Sequence, residues 1–135
     1  MDLEILKIAS NTENHKNINN QTHSSKLNNS ICGDQMQIDL IVKKEKIIDF
    51  GYNCKSCIYC QASVSLLSKS AIDQTTFNIT ELILFAERFY KSDKKKFPKK
   101  WNVFNKLFNK KNISRKECLL LPFKTLSKAL KVKNE

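Results

Sequence analysis

Five cysteines stand out in this chain as residues that could bind a metal ion or carry out sulfur chemistry. Three of them, Cys54, Cys57 and Cys60, recur at every third position in the stretch C-K-S-C-I-Y-C-Q-A-S, and the other two are Cys32 and Cys118. Thiols at such spacings occur in zinc knuckles, in redox pairs, in disulfide frameworks, and in metal or cluster sites that distant residues complete. The rest of the chain must decide among these chemistries.

Two of these chemistries fit the sequence poorly. A structural zinc site usually shows two pairs of ligands, and no second cysteine or histidine pair follows the cluster. His15 and His23 lie in a polar segment, where we expect them to face solvent. A thioredoxin-like redox pair requires a strand-to-helix turn in a βαβ unit, whereas the strands before Cys54 are predicted to be antiparallel.

Length and apolar runs limit the classes of protein to consider. At 135 residues the chain suits one compact domain, which we assign to residues 1–135. No stretch approaches the roughly 20 apolar residues of a membrane-spanning helix, and no secretory signal is recognised at the N-terminus. Together with the odd number of cysteines, these features favour a reducing compartment, the cytoplasm, and no membrane partner.

The net charge of +11 is concentrated in one segment. Residues 91–116 hold eleven lysines and arginines but a single acid, Asp93. Aromatic residues interleave with these lysines and could stack on the bases of a nucleic acid. However, Trp101, Phe104 and Phe108 recur at helical spacing, as a stripe that faces a core would. We therefore predict a solvated or protein-docking face, and nucleic acid is the disfavoured partner.

Alternating apolar residues predict a β-hairpin in the middle of the chain. Apolar side chains occupy every second position over residues 36–42 and again over residues 48–54, with the polar turn K-K-E-K between the two runs. Before them, a short amphipathic helix over residues 3–9 is followed by an asparagine-rich loop or loosely held arm over residues 11–29. We group residues 1–27 as an N-terminal helix and polar arm.

Helices are predicted after the hairpin. Small and aliphatic residues over residues 58–69 suit a helix that packs on a sheet, with Cys57 at its N-terminal end. A second helix is predicted from Thr80, a short one over residues 101–108, and a last one with Ser114 as its N-cap. Strands followed by helices predict an α+β fold, in which a small antiparallel β-sheet packs against several α-helices.

These elements suggest a site assembled from distant parts of the chain. Cys32 and Asp34 flank Gly33 at the start of the first predicted strand, Cys57 begins a helix, and Cys118 lies near the start of the last helix. Helix N-termini favour thiolates, and two residues that are two positions apart in an extended chain share one face. The alternative that the cysteines are buried and inert stays open.

Three motifs around these residues match the pattern of one known protein family. Residues 29–34, N-S-I-C-G-D, are similar to the family motif N-P-x-C-G-D, with serine in place of proline. Cys57 is followed by A-S-V-S at residues 62–65, as the second family cysteine is by A-S-x-S. The third motif is R-K-E-C at residues 115–118, which precedes a leucine-rich helix. In these three motifs the chain resembles the NifU/IscU/SufU family of iron–sulfur scaffold proteins, and the resemblance runs in the family's order from about residue 28 to residue 130.

The chain departs from the family pattern near the second and third cysteines. Cys54 and Ser56 replace two glycines, and Glu117 stands where the IscU branch has a histidine. Cys60 is a further thiol that we expect near the site but outside the ligand set, so alkylation of the metal-loaded protein should modify Cys60 faster than Cys57. The long separation between the second and third cysteines is similar to the SufU branch, with residues 91–111 as a basic insertion.

The resemblance implies a SufE/NifU-like fold and a function in iron–sulfur cluster assembly. Such a scaffold accepts sulfur from a cysteine desulfurase, binds iron and transfers a [2Fe-2S] cluster to apo iron–sulfur acceptor proteins. The implied ligands are Cys32, Asp34, Cys57 and Cys118, and Cys118 is the implied persulfide acceptor. On this interpretation the protein is not an enzyme. The alternative is a zinc-bound persulfide relay for the SUF system, a sulfurtransferase with the same four ligands.

Overall fold

A computed structural model of the chain describes residues 3–30, 33–92 and 96–133. The α-helices and strands in these ranges are α1 (Leu3–Ala9), β1 (His23–Asn28), β2 (Gln35–Lys43), β3 (Lys46–Lys55), α2 (Ile58–Ala71), α3 (Thr76–Arg88) and α4 (Lys116–Lys133). Three 3₁₀ helices, Phe89–Lys91, Lys99–Lys106 and Lys110–Arg115, connect α3 to α4. The predicted α+β fold with a small antiparallel sheet is confirmed. Within these ranges, no helix combines the length and apolar character needed to cross a bilayer.

The sheet has a strand that the sequence pattern did not predict. Residues 23–28 were expected to be part of a loop, but they form β1, which pairs antiparallel with β2 from His23 opposite Leu40 to Asn28 opposite Gln35. The prediction was wrong because β1 is mostly polar and lacks the apolar alternation that marks a strand. Its polar side chains have partners instead, since Ser24 Oγ donates to Asp39 Oδ1 at 2.6 Å.

The turn between β2 and β3 forms where K-K-E-K predicted it. Lys44 and Glu45 both have positive φ, 52° and 62°, as the tight turns of β-hairpins require. After Ile41 the pairing shifts register, which is the signature of a β-bulge. As a result Ile47 is fully buried and Ile48 is 39% exposed, so the prediction that Ile48 lies on the apolar face is wrong.

The N-terminal arm is a loop, but it is packed against the sheet and not loosely held. A Cβ atom added to Gly51 would lie 2.6 Å from the carbonyl oxygen of Lys16 and 2.9 Å from Cγ1 of Ile18. Only glycine therefore allows the arm to approach β3 so closely. The backbone N–H of Tyr52 also donates to the carbonyl of Asn14 at 3.1 Å.

The basic segment is anchored by aromatic side chains beneath its lysines. Trp101, Phe104 and Phe108 are buried, which confirms the predicted core-facing stripe. The ring centroid of Phe108 lies 5.2 Å from that of Phe97 and 5.5 Å from that of Phe123 on α4. These aromatic rings therefore belong to the core, while the lysines of the segment are exposed at positions 96, 99, 100, 106, 110 and 111.

Two helix starts differ from the predictions. α3 begins one turn before Thr80, because Thr75 Oγ1 accepts a hydrogen bond from the N–H of Asn78 at 3.0 Å and caps the helix there. α4 follows directly on a 3₁₀ helix, so Ser114, the predicted N-cap, lies inside that 3₁₀ helix.

Candidate metal centre

Three of the four predicted ligands meet in the folded chain. The ligand atoms of Asp34, Cys57 and Cys118 lie within 4.8 Å of one another. They come from the loop before β2, the N-cap of α2 and the first turn of α4. The fourth predicted ligand, Cys32, lies outside the described residues. The structure thus brings together three residues that are spread over 84 positions of the sequence, from 34 to 118.

The loop that presents Asp34 connects β1 to β2. The N–H of Asn29 donates to the carbonyl of Asp34 at 2.7 Å, and the N–H of Gly33 donates to the carbonyl of Asn29 at 2.8 Å. Gly33 has φ of +76°, a left-handed conformation that glycine adopts without a Cβ clash. The glycine of the C-G-D motif thus lets the chain turn sharply just before β2 while placing the Asp34 side chain toward the site.

The two carboxylate oxygens of Asp34 have different environments. Oδ1 accepts a hydrogen bond from the backbone N–H of Cys57 at 3.2 Å, whereas Oδ2 is buried and has no hydrogen-bond partner among the described residues. A buried carboxylate oxygen without a partner is energetically costly. A cation bound beside Cys57 and Cys118 would satisfy it. Two sulfur ligands and one oxygen ligand suit zinc or iron.

Cys57 occupies the N-cap position of α2, as predicted. Its backbone is extended, with φ of −69° and ψ of 166°, and its thiol makes no capping hydrogen bond. The first N–H groups of a helix lack intrahelical acceptors, and their dipoles favour a negative charge nearby. A Cys57 thiolate is therefore both a good ligand and a good nucleophile.

Cys118 lies in the first turn of α4 and is 6% exposed. The hydroxyl of Ser63, from the A-S-V-S motif on α2, donates to the carbonyl of the next residue, Leu119, at 2.7 Å. This buried bond contributes about 1 kcal/mol. Pro122 has no N–H to donate to the carbonyl of Cys118 four residues earlier. The first turn of α4 therefore has one backbone hydrogen bond fewer, and the hydrogen bond from Ser63 helps to fix the turn that carries Cys118.

The two additional cysteines of the cluster stay outside the group of three ligand atoms. Cys60 is fully buried, and burial raises the pKa of its thiol well above the ordinary value, with Asp34 and Cys57 close enough to add to the increase. Its predicted position near the site agrees with this, whereas its burial argues against the predicted fast alkylation of Cys60. Cys54 is half-buried, and its pKa is raised mainly by burial.

Two contacts beside the site were not predicted from the sequence. Glu117, which replaces the histidine of one branch, pairs with Lys124 on the next turns of α4 at 3.4 Å. The guanidinium carbon of Arg115 lies 5.1 Å from the centroid of the Tyr59 ring. The sequence contained a signal only for the first contact, since opposite charges seven positions apart lie on one helix face.

Comparison with known proteins agrees with this arrangement. Residues 2–84, which carry Asp34 and Cys57, match the NifU-like N terminal domain. The iron–sulfur cluster assembly scaffold protein IscU of Thermotoga maritima is 31% identical over 103 residues, which are 76% of this chain and 72% of that protein. An uncharacterized protein of Borreliella burgdorferi is 27% identical over 113 residues, 82% of this chain and 76% of that protein.

Solved structures show the same architecture. A protein of Fervidobacterium islandicum, named as an iron–sulfur cluster assembly scaffold for the SUF system, superposes with a TM-score of 0.87 at 26% identity, covering 96% of each chain. The N-terminal part of a NifU-like protein from Brucella abortus gives a TM-score of 0.90 at 18% identity, covering 98% of this chain and 93% of that one, and so supports the fold alone. The family model and the IscU relative together place this chain in the NifU/IscU/SufU-type family of NifU-like N-terminal domains.

Proposed function

We propose that this protein is an iron–sulfur cluster assembly scaffold. It accepts sulfur from a cysteine desulfurase, binds iron, and transfers a [2Fe-2S] cluster, its cargo, to apo acceptor proteins in the cytoplasm. The observation that carries the proposal is the convergence of Asp34, Cys57 and Cys118 within 4.8 Å, with a buried oxygen of Asp34 lacking a partner. Cys32 is proposed as the fourth ligand, because Gly33 alone separates it from Asp34.

Sulfur uptake in this proposal is a thiolate displacement. The Cys118 thiolate attacks the terminal sulfur of the desulfurase persulfide, a new S–S bond forms on Cys118, and the desulfurase thiolate leaves. No net oxidation or reduction accompanies this transfer. The transferred sulfur must still gain electrons before it becomes sulfide, so a separate reductant takes part in building the cluster.

A zinc-bound persulfide relay is the second candidate function. The same ligands suit tetrahedral zinc, because thiolates and one carboxylate oxygen are common zinc donors. The long separation between Cys57 and Cys118, which is similar to the SufU branch, favours this candidate. In that case the protein would be a sulfurtransferase that passes persulfide to the SUF machinery without building a cluster.

Anaerobic purification followed by metal and acid-labile sulfide analysis distinguishes the two functions. We expect iron and sulfide in equal amounts, because a [2Fe-2S] cluster contains them in that ratio. Zinc without sulfide would instead support the relay. A protein that holds neither metal, and takes up neither one when it is supplied under anaerobic conditions, would contradict both proposals.

The basic segment, residues 91–111, is proposed to dock the desulfurase. Its exposed lysines lie on a folded aromatic base, and a surface of one charge speeds encounter with an oppositely charged partner. Replacing Lys96, Lys99 and Lys110 with glutamate should slow sulfur transfer several-fold at low salt without changing metal content. Lys106 is left in place because it pairs with Glu4 at 3.3 Å.

The matched control reverses three exposed lysines elsewhere, Lys43, Lys46 and Lys131. Both triple variants change the net charge equally, so a difference between them reports the position of the charge. Sulfur-transfer rates are compared at low and high salt, where screening should remove the effect. Equal sulfur-transfer rates for the two variants would show that the basic segment is a solvated surface and does not dock the desulfurase.

A further inference from the structure

Arg115 and Tyr59 link the two helix starts that carry Cys118 and Cys57. Tyr59 is the second residue of α2, two positions after Cys57, and Arg115 ends the 3₁₀ helix that leads into α4, three positions before Cys118. The guanidinium carbon lies 5.1 Å from the ring centroid, within the range of a cation–π contact. Arginine suits this contact because its planar guanidinium stacks on aromatic faces.

This contact complements the bond that joins α2 and α4 deeper in the molecule. The Ser63 bond to Leu119 is buried. Arg115 is exposed and Tyr59 is half-buried, so their contact lies on the solvent side of the two helices. In addition to the apolar packing of α2 against α4, one hydrogen bond in the core and one contact at the surface therefore help to fix the relative position of Cys57 and Cys118.

Arg115 has an aromatic partner, whereas the nearby charged residue Glu117 has an oppositely charged one. Glu117 is paired with Lys124, whereas Arg115 makes no ion pair with an acid in the described part of the chain. A cation near the start of α4 offsets negative charge that thiolates and the Asp34 carboxylate bring to a loaded site. The Tyr59 ring holds that cation without neutralising it, whereas a carboxylate partner would cancel its charge.

We propose that Tyr59 and Arg115 are positioning residues that hold the starts of α2 and α4 together and so slow the escape of metal or cluster. The inference rests on the proposed function, because it assumes that Cys57 and Cys118 are ligands. Neither residue is itself a ligand. The pair acts by holding the two helix starts together and by supplying the positive charge of the guanidinium.

Release of Co²⁺ from the full chain tests this proposal. Thiolate-bound Co²⁺ has a charge-transfer absorption whose decay after addition of excess EDTA gives the release rate. Tyr59→Leu and Arg115→Gln should each release Co²⁺ roughly two- to fivefold faster, the effect of losing one exposed cation–π contact. Tyr59→Phe keeps the ring and should match the wild type. The starting spectra should be unchanged, because the ligands are intact.

The double variant separates a paired contact from general destabilisation. If the two residues act together, Tyr59→Leu combined with Arg115→Gln should be no faster than the quicker single variant. Wild-type release rates in both single variants, or effects that multiply in the double variant, would overturn the proposal. If Tyr59→Leu does not fold, two substitutions of the exposed Arg115 still test the proposal. Arg115→Gln removes the charge, and Arg115→Lys keeps the charge but loses the planar stacking. A wild-type protein without the charge-transfer band would overturn the metal site itself.

Discussion

Cys57→Ala and Cys118→Ala are expected to abolish stable metal binding, whereas Cys54→Ala should preserve it. Cys57 and Cys118 contribute two of the three clustered ligand atoms, and Cys54 lies outside that cluster. Loss of groups that merely orient ligands already weakens metal binding roughly 10- to 100-fold, so loss of a ligand should cost at least about 100-fold. Cys32→Ala should behave like Cys57→Ala, as its motif predicts.

Anaerobic competition for Zn²⁺ against a chromophoric chelator measures these affinities. Cys54→Ala is the matched control, because it removes a half-buried thiol next to the same helix start without touching the three clustered atoms. The unfolding midpoint of each metal-free variant shows whether a loss of affinity reflects misfolding. If Cys54→Ala lost zinc as completely as Cys57→Ala, the assignment of the ligands would be wrong.

Asp34→Cys is expected to hold its metal or cluster longer and to pass it on more slowly. Carboxylate oxygen is a harder ligand than thiolate and binds a cluster iron more weakly. A scaffold must release its cargo, and Asp34 is the proposed point at which an acceptor thiol enters. A further thiolate at position 34 would close that point, so we expect transfer to an apo acceptor to slow about tenfold or more, which corresponds to about 1.4 kcal/mol or more of added activation free energy.

The same substitution also tests a purely structural role for Asp34. Oδ1 accepts the N–H of Cys57, and Asp34→Cys would lose this bond at a cost of about 1 kcal/mol in stability. Asp34→Asn is the control, because its amide oxygen can still accept that N–H while the charge is gone. Unfolding midpoints and transfer rates are measured for both variants. A destabilised Asp34→Cys protein with an unchanged release rate would contradict the role in cargo release.

Residue types and their order, together with the family resemblance, led to the prediction of a thiolate-rich metal site. Cysteine sulfur and aspartate oxygen have fixed preferences among metals, so the pattern C-G-D, Cys57 and Cys118 indicated a thiolate-rich centre before any fold was known. Apolar alternation likewise predicted β2 and β3, and the small residues after Cys57 predicted α2, because these periods follow from local backbone geometry. The predictions of these strands and of α2 used only patterns among residues that are close together in the sequence.

Tertiary structure alone decided the features that depend on distant neighbours. β1 is polar and forms because β2 offers it an edge, and the arm packs on β3 because Gly51 leaves room for it. Cys60 is one helical turn from Cys57, yet the core buries it, so spacing could not predict its accessibility. The Asp34 bond to Cys57, the Ser63 bond to Leu119 and the contact of Arg115 with Tyr59 each join residues at least 23 positions apart. Sequence determined which candidate ligands are available. The packing of α2 and α4 determined where they meet, because local propensities carry no information about contacts between distant segments.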